Sequence, residues 1–260
     1  MQRHLLTATL AVLALFATGR AMAQSPVHFT QGTVIPREVF VNDDKGSEVS
    51  LRALLEAQPG NINVVFVFGG GDMGANFPGR LWCADSFEDS HILRTLIGKY
   101  QGKPVGFVAI ASAPVYHSGA LGAKNRVFLD AADDSEEFQQ ARTAFISSTL
   151  AAKATGILPL QPYFDLRLHL MLNRDGKAQP GAGYGAMQPW FGAFRAAGET
   201  QFYGVPSYWI IADDGTVLAE PFRGNVYHPH GAEVSIRYTF ADVDAALSRL
   251  LKAVNDAKAE

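Results

Sequence analysis

One side chain dominates the chemistry available to this 260-residue sequence: Cys83, its single cysteine. The thiolate is the nucleophilic form of cysteine, so reactivity follows whatever shifts the thiol pKa. Cys83 stands in Arg80-Leu81-Trp82-Cys83-Ala84-Asp85-Ser86, directly ahead of a stretch with helical periodicity. A sulfur at a helix start meets unpaired N–H groups and the positive end of the helix dipole, and both favour thiolate. Arg80 adds to that effect and Asp85 opposes it. Ser86 has the i+3 spacing from which a hydroxyl can donate a hydrogen bond to the sulfur, although it cannot displace a mixed disulfide. With one cysteine there is neither an internal disulfide nor a second thiol to resolve an adduct. Two readings stay open: a reactive monothiol, or a buried cysteine covered by Trp82 and Phe87 that acts as a small hydrophobe.

Other candidates are weaker. His228 and His230 flank Pro229 and can share a metal only in extended geometry, with no third ligand at a suitable spacing. A surface loop is the simpler expectation, so no metal and no cofactor are expected. His117 follows a strand end, where open α/β sheets place their sites, but it can equally be solvated. The glycine-rich stretch from Gly69 to Gly79 lacks the Gly-Lys-Ser/Thr ending of a phosphate loop. Its Asp72 and Asn76 read as loop residues. Asp133, Asp134, Glu136 and Glu137 read as the acidic first turn of a helix.

The elements that must position Cys83 are legible around it. An alternating stretch, a polar turn at Asn42 to Gly46 and a short helix capped by Ser50 open the described order. Asn63 to Phe68 is an uninterrupted β-branched and aromatic run, the pattern of a strand buried on both faces. After the glycine-rich loop, Phe87, Ile92, Leu93, Leu96, Ile97 and Tyr100 mark one side of a helix that Gly102 and Pro104 stop. Val105 to Ala111 is a second buried strand, which completes a βαβ unit of right-handed crossover. Asp133 to Ala154 is expected to be helical, ending near Gly156. Tyr163 to Leu172 fits a strand or a second helix, and Pro189 to Ala197 a short helix. Val205 to Ile211 reads as a strand, which Asp213-Asp214-Gly215 turns into another at Thr216 to Phe222. Residues 240 to 256 form an amphipathic closing helix.

This order resembles the thioredoxin-like superfamily of redoxin and peroxiredoxin type. Trp82-Cys83-Ala84-Asp85-Ser86 at the helix start resembles its Trp-Cys-x-x-Cys motif, with Ser86 in place of the second cysteine. Gly204-Val205-Pro206-Ser207 ahead of an apolar strand resembles its cis-proline segment. The resemblance implies a three-layer α/β thioredoxin-like fold, a central mixed sheet flanked by helices, with a long insertion at about 112–200 before the cis-Pro strand. It implies Cys83 and Ser86 as catalytic residues, Trp82, Val205 and Pro206 as substrate-binding residues, and Arg80 as a tuner of the thiol pKa. Position 80 is Arg where a peroxiredoxin carries Thr or Ser, which argues against peroxide chemistry. The implied activity is monothiol thiol–disulfide exchange with a thiol or disulfide-containing protein or a small thiol. The alternative is an inactive binding or scaffold protein on the same fold.

The N-terminus supplies the compartment. Met1 to Arg3 form a basic n-region, Leu5 to Ala17 an apolar core and Ala21-Met22-Ala23 a cleavage pattern, so residues 1–23 read as a signal peptide and 24–260 as the exported domain. The competing reading, a membrane anchor, needs a longer apolar core. Residues 1–23 hold Arg3 and Arg20 and no acid, which leaves 20 basic against 25 acidic residues and a net charge of −5. No basic patch stands out, so nucleic acid is excluded as the expected partner, as is a membrane once the signal peptide is cleaved. The expected location is the periplasm or the exterior.

Overall fold

The computed structural model describes residues 31–35, 37, 39–58, 60–71, 84–112, 134–166, 193–194, 201–203, 206–223, 226–227, 233–234 and 238–259. A hairpin comes first. Strands β1 (Phe40–Asn42) and β2 (Glu48–Ser50) pair antiparallel, with Val41 opposite Val49. In the turn between them, the Asp43 carboxylate accepts from the N–H groups of Lys45 and Ser47 at 2.9 and 2.7 Å. Ser50 then caps helix α1 (Leu51–Glu56), its side chain accepting from the Ala53 N–H.

The βαβ unit follows as the periodicity predicts. Strand β3 (Ile62–Gly69) is buried at all eight positions. Helix α2 (Ala84–Tyr100) leads to β4 (Val105–Ser112), which lies parallel to β3 in unbroken register from Ile62↔Val105 to Gly69↔Ser112. A second crossover, helix α3 (Glu136–Ala154), delivers β5 (Pro162–Asp165) parallel to β4 on its far side. Strand β8 (Ser207–Ala212) pairs antiparallel with the other edge of β3, and β9 (Phe222–Arg223) pairs with β8. The main sheet is therefore seven-stranded and mixed, in the order β2-β1-β5-β4-β3-β8-β9. Helix α4 (Phe240–Ala259) closes the chain. A separate four-stranded sheet has the order β11-β10-β7-β6, from β6 (Ala193–Phe194), β7 (Gln201–Tyr203), β10 (Val226–Tyr227) and β11 (Glu233–Val234).

Strand alternation sorts the helices into layers. Phe66 and Phe68 share one face of β3 with Tyr208, which reaches α2, and with Ala111 and Phe164, which meet Phe145 of α3. Helix α4 joins that face through Tyr100, whose hydroxyl bonds Asp244 and Ser248 at 2.8 Å each. On the opposite face, the Asn63 amide donates to the Leu55 carbonyl of α1 at 3.3 Å. Two parallel crossovers that step in the same direction across a sheet place their helices on one side when both are right-handed. Hence α2, α3 and α4 cover one face and α1 the other.

The fold is three-layer α/β and thioredoxin-like: a β3-α2-β4 unit, an antiparallel β8-β9 pair on its free edge, and a closing helix. The insertion expected at 112–200 contains a further α/β unit, α3 and β5, that widens the sheet.

Three sequence expectations are corrected. Helix α3 starts at Glu136 rather than Asp133, because the Ser135 hydroxyl accepts the Phe138 N–H at 3.2 Å and caps the helix there. Residues 193–194, expected within a short helix, form strand β6, since pairing with Phe202 and Gln201 overrides local propensity. Thr216 to Phe222 is not one strand. Thr216 and Val217 make isolated bridges to Val34 and Ile211, and β9 begins only at Phe222. The segment is shared between two partners: Thr216 and Leu218 bond Ala212 and Ile210 of β8, while Val217 bonds Gly32 and Thr33, all at 2.8 Å, and Pro221 has no N–H to offer a ladder. Where strand and helix were both open, the chain is strand at Pro162–Asp165. Phe87, assigned to the buried side of its helix, is 36% exposed.

Candidate functional site

Two of the expected site residues, Ser86 and Pro206, lie near the end of β3, one in the first turn of α2 and the other at the head of β8. Helix α2 starts at Ala84, the residue after Cys83. Of the residues singled out from the sequence, Ser86 and Pro206 are described, whereas Arg80, Trp82, Cys83 and Val205 lie outside the described residues. So do Asp72, Asn76, His117, His228 and His230. Among the described residues there is no group of three or more His, Cys, Asp or Glu able to hold a metal, and no helix among them is long and apolar enough to cross a membrane.

Ser86 is fully buried, and its Oγ accepts the Gly69 N–H at 2.9 Å. That bond ties the first turn of α2 to the end of β3. The hydroxyl keeps its own proton to donate, so a bond toward a thiolate remains chemically open to it. Pro206 is buried at the head of β8. Ser207, the first residue of β8, is 1% exposed and its Oγ accepts from Trp209 Nε1 at 2.9 Å.

The glycines after β3 have structural reasons. The N–H groups of Gly69, Gly70 and Gly71 donate in turn to Ser86 Oγ of α2, the Ser112 carbonyl of β4 at 3.0 Å and Thr149 Oγ1 of α3 at 2.8 Å. Three successive amides that would otherwise form an anion cradle are thus already used. A Cβ on Gly70 would stand 2.8 Å from the Ala111 Cβ and 2.9 Å from the Phe145 ring, so only glycine fits between β4 and α3. Gly71 has φ of 96°, a left-handed conformation that favours glycine.

No local pattern pointed to the polar groups beneath this edge. Gly69, Ser112 and Asp165 lie in one register row across β3, β4 and β5, with Ser112 and Asp165 only 1% and 6% exposed. Ser112 Oγ is buried without a hydrogen-bond partner among the described residues. In the second turn of α2, Asp89 receives two tyrosine hydroxyls: Tyr208 donates to its backbone carbonyl at 2.8 Å and Tyr238 to its carboxylate at 2.6 Å. Burial, helped by the Asp89 charge, pushes the Tyr208 hydroxyl well above its ordinary value, so it stays protonated and donating. The partners of Asp89 lie 119 and 149 residues away, beyond any local spacing signal.

No family model matches this chain, and no curated protein matches it. Solved structures do. A hypothetical protein from Sinorhizobium meliloti 1021 is 15% identical over 88% of this chain and 86% of its own, with a TM-score of 0.43. A putative electron transfer protein from Aquifex aeolicus VF5 is 13% identical over 86% of this chain and 95% of its own, at 0.39. A thioredoxin-family thiol:disulfide interchange protein from Chlorobium tepidum TLS is 13% identical over 87% and 97%, at 0.34.

Proposed function

We propose that this protein is an exported thioredoxin-fold monothiol that carries out thiol–disulfide exchange through Cys83. The observation that supports the reading is helix α2, described from Ala84 onward, which the single cysteine of the chain immediately precedes in sequence. The first turn of that helix is tied to β3 by Ser86, and β8 with Pro206 at its head runs alongside β3. Unpaired helix N–H groups and the dipole favour thiolate there.

The exchange balances without a second cysteine. The Cys83 thiolate attacks one sulfur of a substrate disulfide, the S–S bond breaks, and the other sulfur leaves as a thiolate with the bonding pair and takes up a proton. A mixed disulfide now joins Cys83 to the substrate. An external thiolate attacks it, forms a new disulfide with the substrate half and returns Cys83 as thiolate. Ser86 tunes the thiolate, Arg80 lowers its pKa, and Trp82, Val205 and Pro206 shape the substrate surface. Substrates are proteins carrying a thiol or disulfide, or a small thiol. Residues 1–23 act as the cleaved signal peptide.

The deciding measurement is the native alkylation rate of Cys83 against pH. An apparent pKa well below about 8.5, the free-thiol value, together with loss of exchange in Cys83→Ser, is the expected result. Exchange that survives Cys83→Ser sinks the reading. One observation favours the second reading, an inactive scaffold: Ser86 is fully buried and bonded to backbone, a fixed structural post. In that case Cys83 stays unlabelled until the protein unfolds.

A further inference from the structure

We propose that Asp89, Tyr208 and Tyr238 form a clamp that positions the start of α2 against β8, which makes them positioning residues for the exchange reaction. The inference rests on the reading of Cys83 given above. Asp89 stands six residues after Cys83, and Tyr208 two residues after Pro206. A single bond, from the Tyr208 hydroxyl to the Asp89 carbonyl, therefore links the helix that follows the thiol to the strand that follows the proline. The Tyr238 hydroxyl reaches the carboxylate of the same residue from the segment just ahead of α4.

The rings leave the hydroxyls little freedom. Tyr208 is fully buried and stacks on Phe66 with centroids 4.7 Å apart. Tyr238 meets Tyr208 edge-on at 5.5 Å and Phe222 at 6.1 Å. A rotation of α2 about its axis, or a slide by one residue, breaks both hydroxyl bonds and leaves a buried donor without an acceptor. Ser86, one turn earlier, supplies a third tie to Gly69. Helix-end stabilisation of an anion falls off within the first turn, so a thiolate there is sensitive to displacements that a residue deeper in the helix would not register. The Tyr238 hydroxyl also draws on the charge of the Asp89 carboxylate.

The far end of the same helix provides a control. Tyr100 bonds α4 through its own hydroxyl, to Asp244 and Ser248, with no link to β8. The experiment measures iodoacetamide alkylation of Cys83 against pH, with melting temperatures, in the signal-cleaved protein and its variants. Tyr208→Phe combined with Tyr238→Phe is expected to slow alkylation at neutral pH by about threefold, half a pKa unit at tenfold per unit. Asp89→Asn retains an acceptor for Tyr238 and removes an anion, so it is expected to react at least as fast as the native protein. Tyr100→Phe is expected to lower the melting temperature and leave the alkylation profile in place. If the double variant does not fold, Tyr238→Phe alone carries the test with the same expected direction. A reactive native thiol whose profile the tyrosine variants leave unchanged overturns the clamp alone. A native thiol that reacts only on unfolding overturns the reading of Cys83 and the clamp with it.

Discussion

The two ends of helix α2 are fastened by different physics. At its start, Ser86 and Asp89 bond to β3, β8 and Tyr238 over a buried aromatic stack of Phe68, Phe66 and Tyr208, with Phe66 5.4 Å from Phe68. At its end, a charged cluster joins α4: Lys99 Nζ lies 2.5 Å from the Asp244 carboxylate, and Tyr100 bonds both Asp244 and Ser248. Lys99 keeps 43% of its side chain exposed, so salt competes more for the ion pair at the far end than for the hydroxyl bonds at the near one. The contrast teaches which end can tolerate change. An interior anchor gives a fixed position, whereas a screened surface anchor gives solubility and modest stability.

The largest blow to the near end is expected from Phe66→Ala. It empties space behind both Phe68 and Tyr208, and should cost about 3–5 kcal/mol in denaturant unfolding. A loss below about 1 kcal/mol would mean that the stack is not the foundation of that end. Gly70→Ala comes next. The added Cβ must push Ala111 and Phe145 apart, an overpacking of about 1–3 kcal/mol that should appear in the same unfolding curves. Tyr100→Phe at the far end removes one hydroxyl and should cost about 1 kcal/mol. Its effect should shrink in high salt as Lys99 and Asp244 lose each other, while the Phe66→Ala deficit should hold constant. Equal salt dependence of the two would erase the distinction.

The smallest effect belongs to acid. Burial pushes the Asp244 carboxyl up, but hydrogen bonds from Lys99 and Tyr100 with the Lys99 charge outweigh it and leave the group below its ordinary 3.8. Asp242 is lowered by the hydroxyl and N–H of Thr239, the reciprocal pairing of a helix capping box. Asp214 is lowered by its bonds from Thr216. A depressed carboxyl contributes stability that is present above its unfolded value and lost as pH falls through the folded one. Stability should therefore hold above about pH 4 and decline below it. Asp244→Asn should flatten that decline, and an unaltered acid limb would disconnect the Asp244 cluster from it.

Much of the fold was written in local pattern. The run Asn63 to Phe68 appears as a strand because burial on both faces leaves no polar alternation. Ser50 and Gly156 mark a helix start and stop through the chemistry of caps. Where the sequence misled, the deciding partner was distant. Strand β6 exists because of β7, and Thr216 is claimed by Val34 from the other end of the chain. Phe87 followed the helical period yet lies 36% exposed, since a period fixes a stripe but not its edges. Ser86 drew notice through its spacing from Cys83, but its tie to Gly69 was not legible. Asp89 was invisible because its meaning lies in two tyrosines that only the folded sheet brings near. Ser112 gave no signal, since a serine ending an apolar strand reads like any turn residue.

The bond between Gly69 and Ser86 has one more implication, for how this molecule can vary. It fastens together two backbone points 17 residues apart, and the amides of Gly70 and Gly71 are moored to β4 and α3 beside it. The two ends of the intervening stretch are consequently held by bonds among the flanking residues. The closure entropy of a flexible connection grows only logarithmically with its length, so doubling one costs about 0.6 kcal/mol. Lengthening, shortening or rewriting residues 72–82 should thus leave the scaffold standing, and the segment ahead of Cys83 can be exchanged between proteins as a cassette.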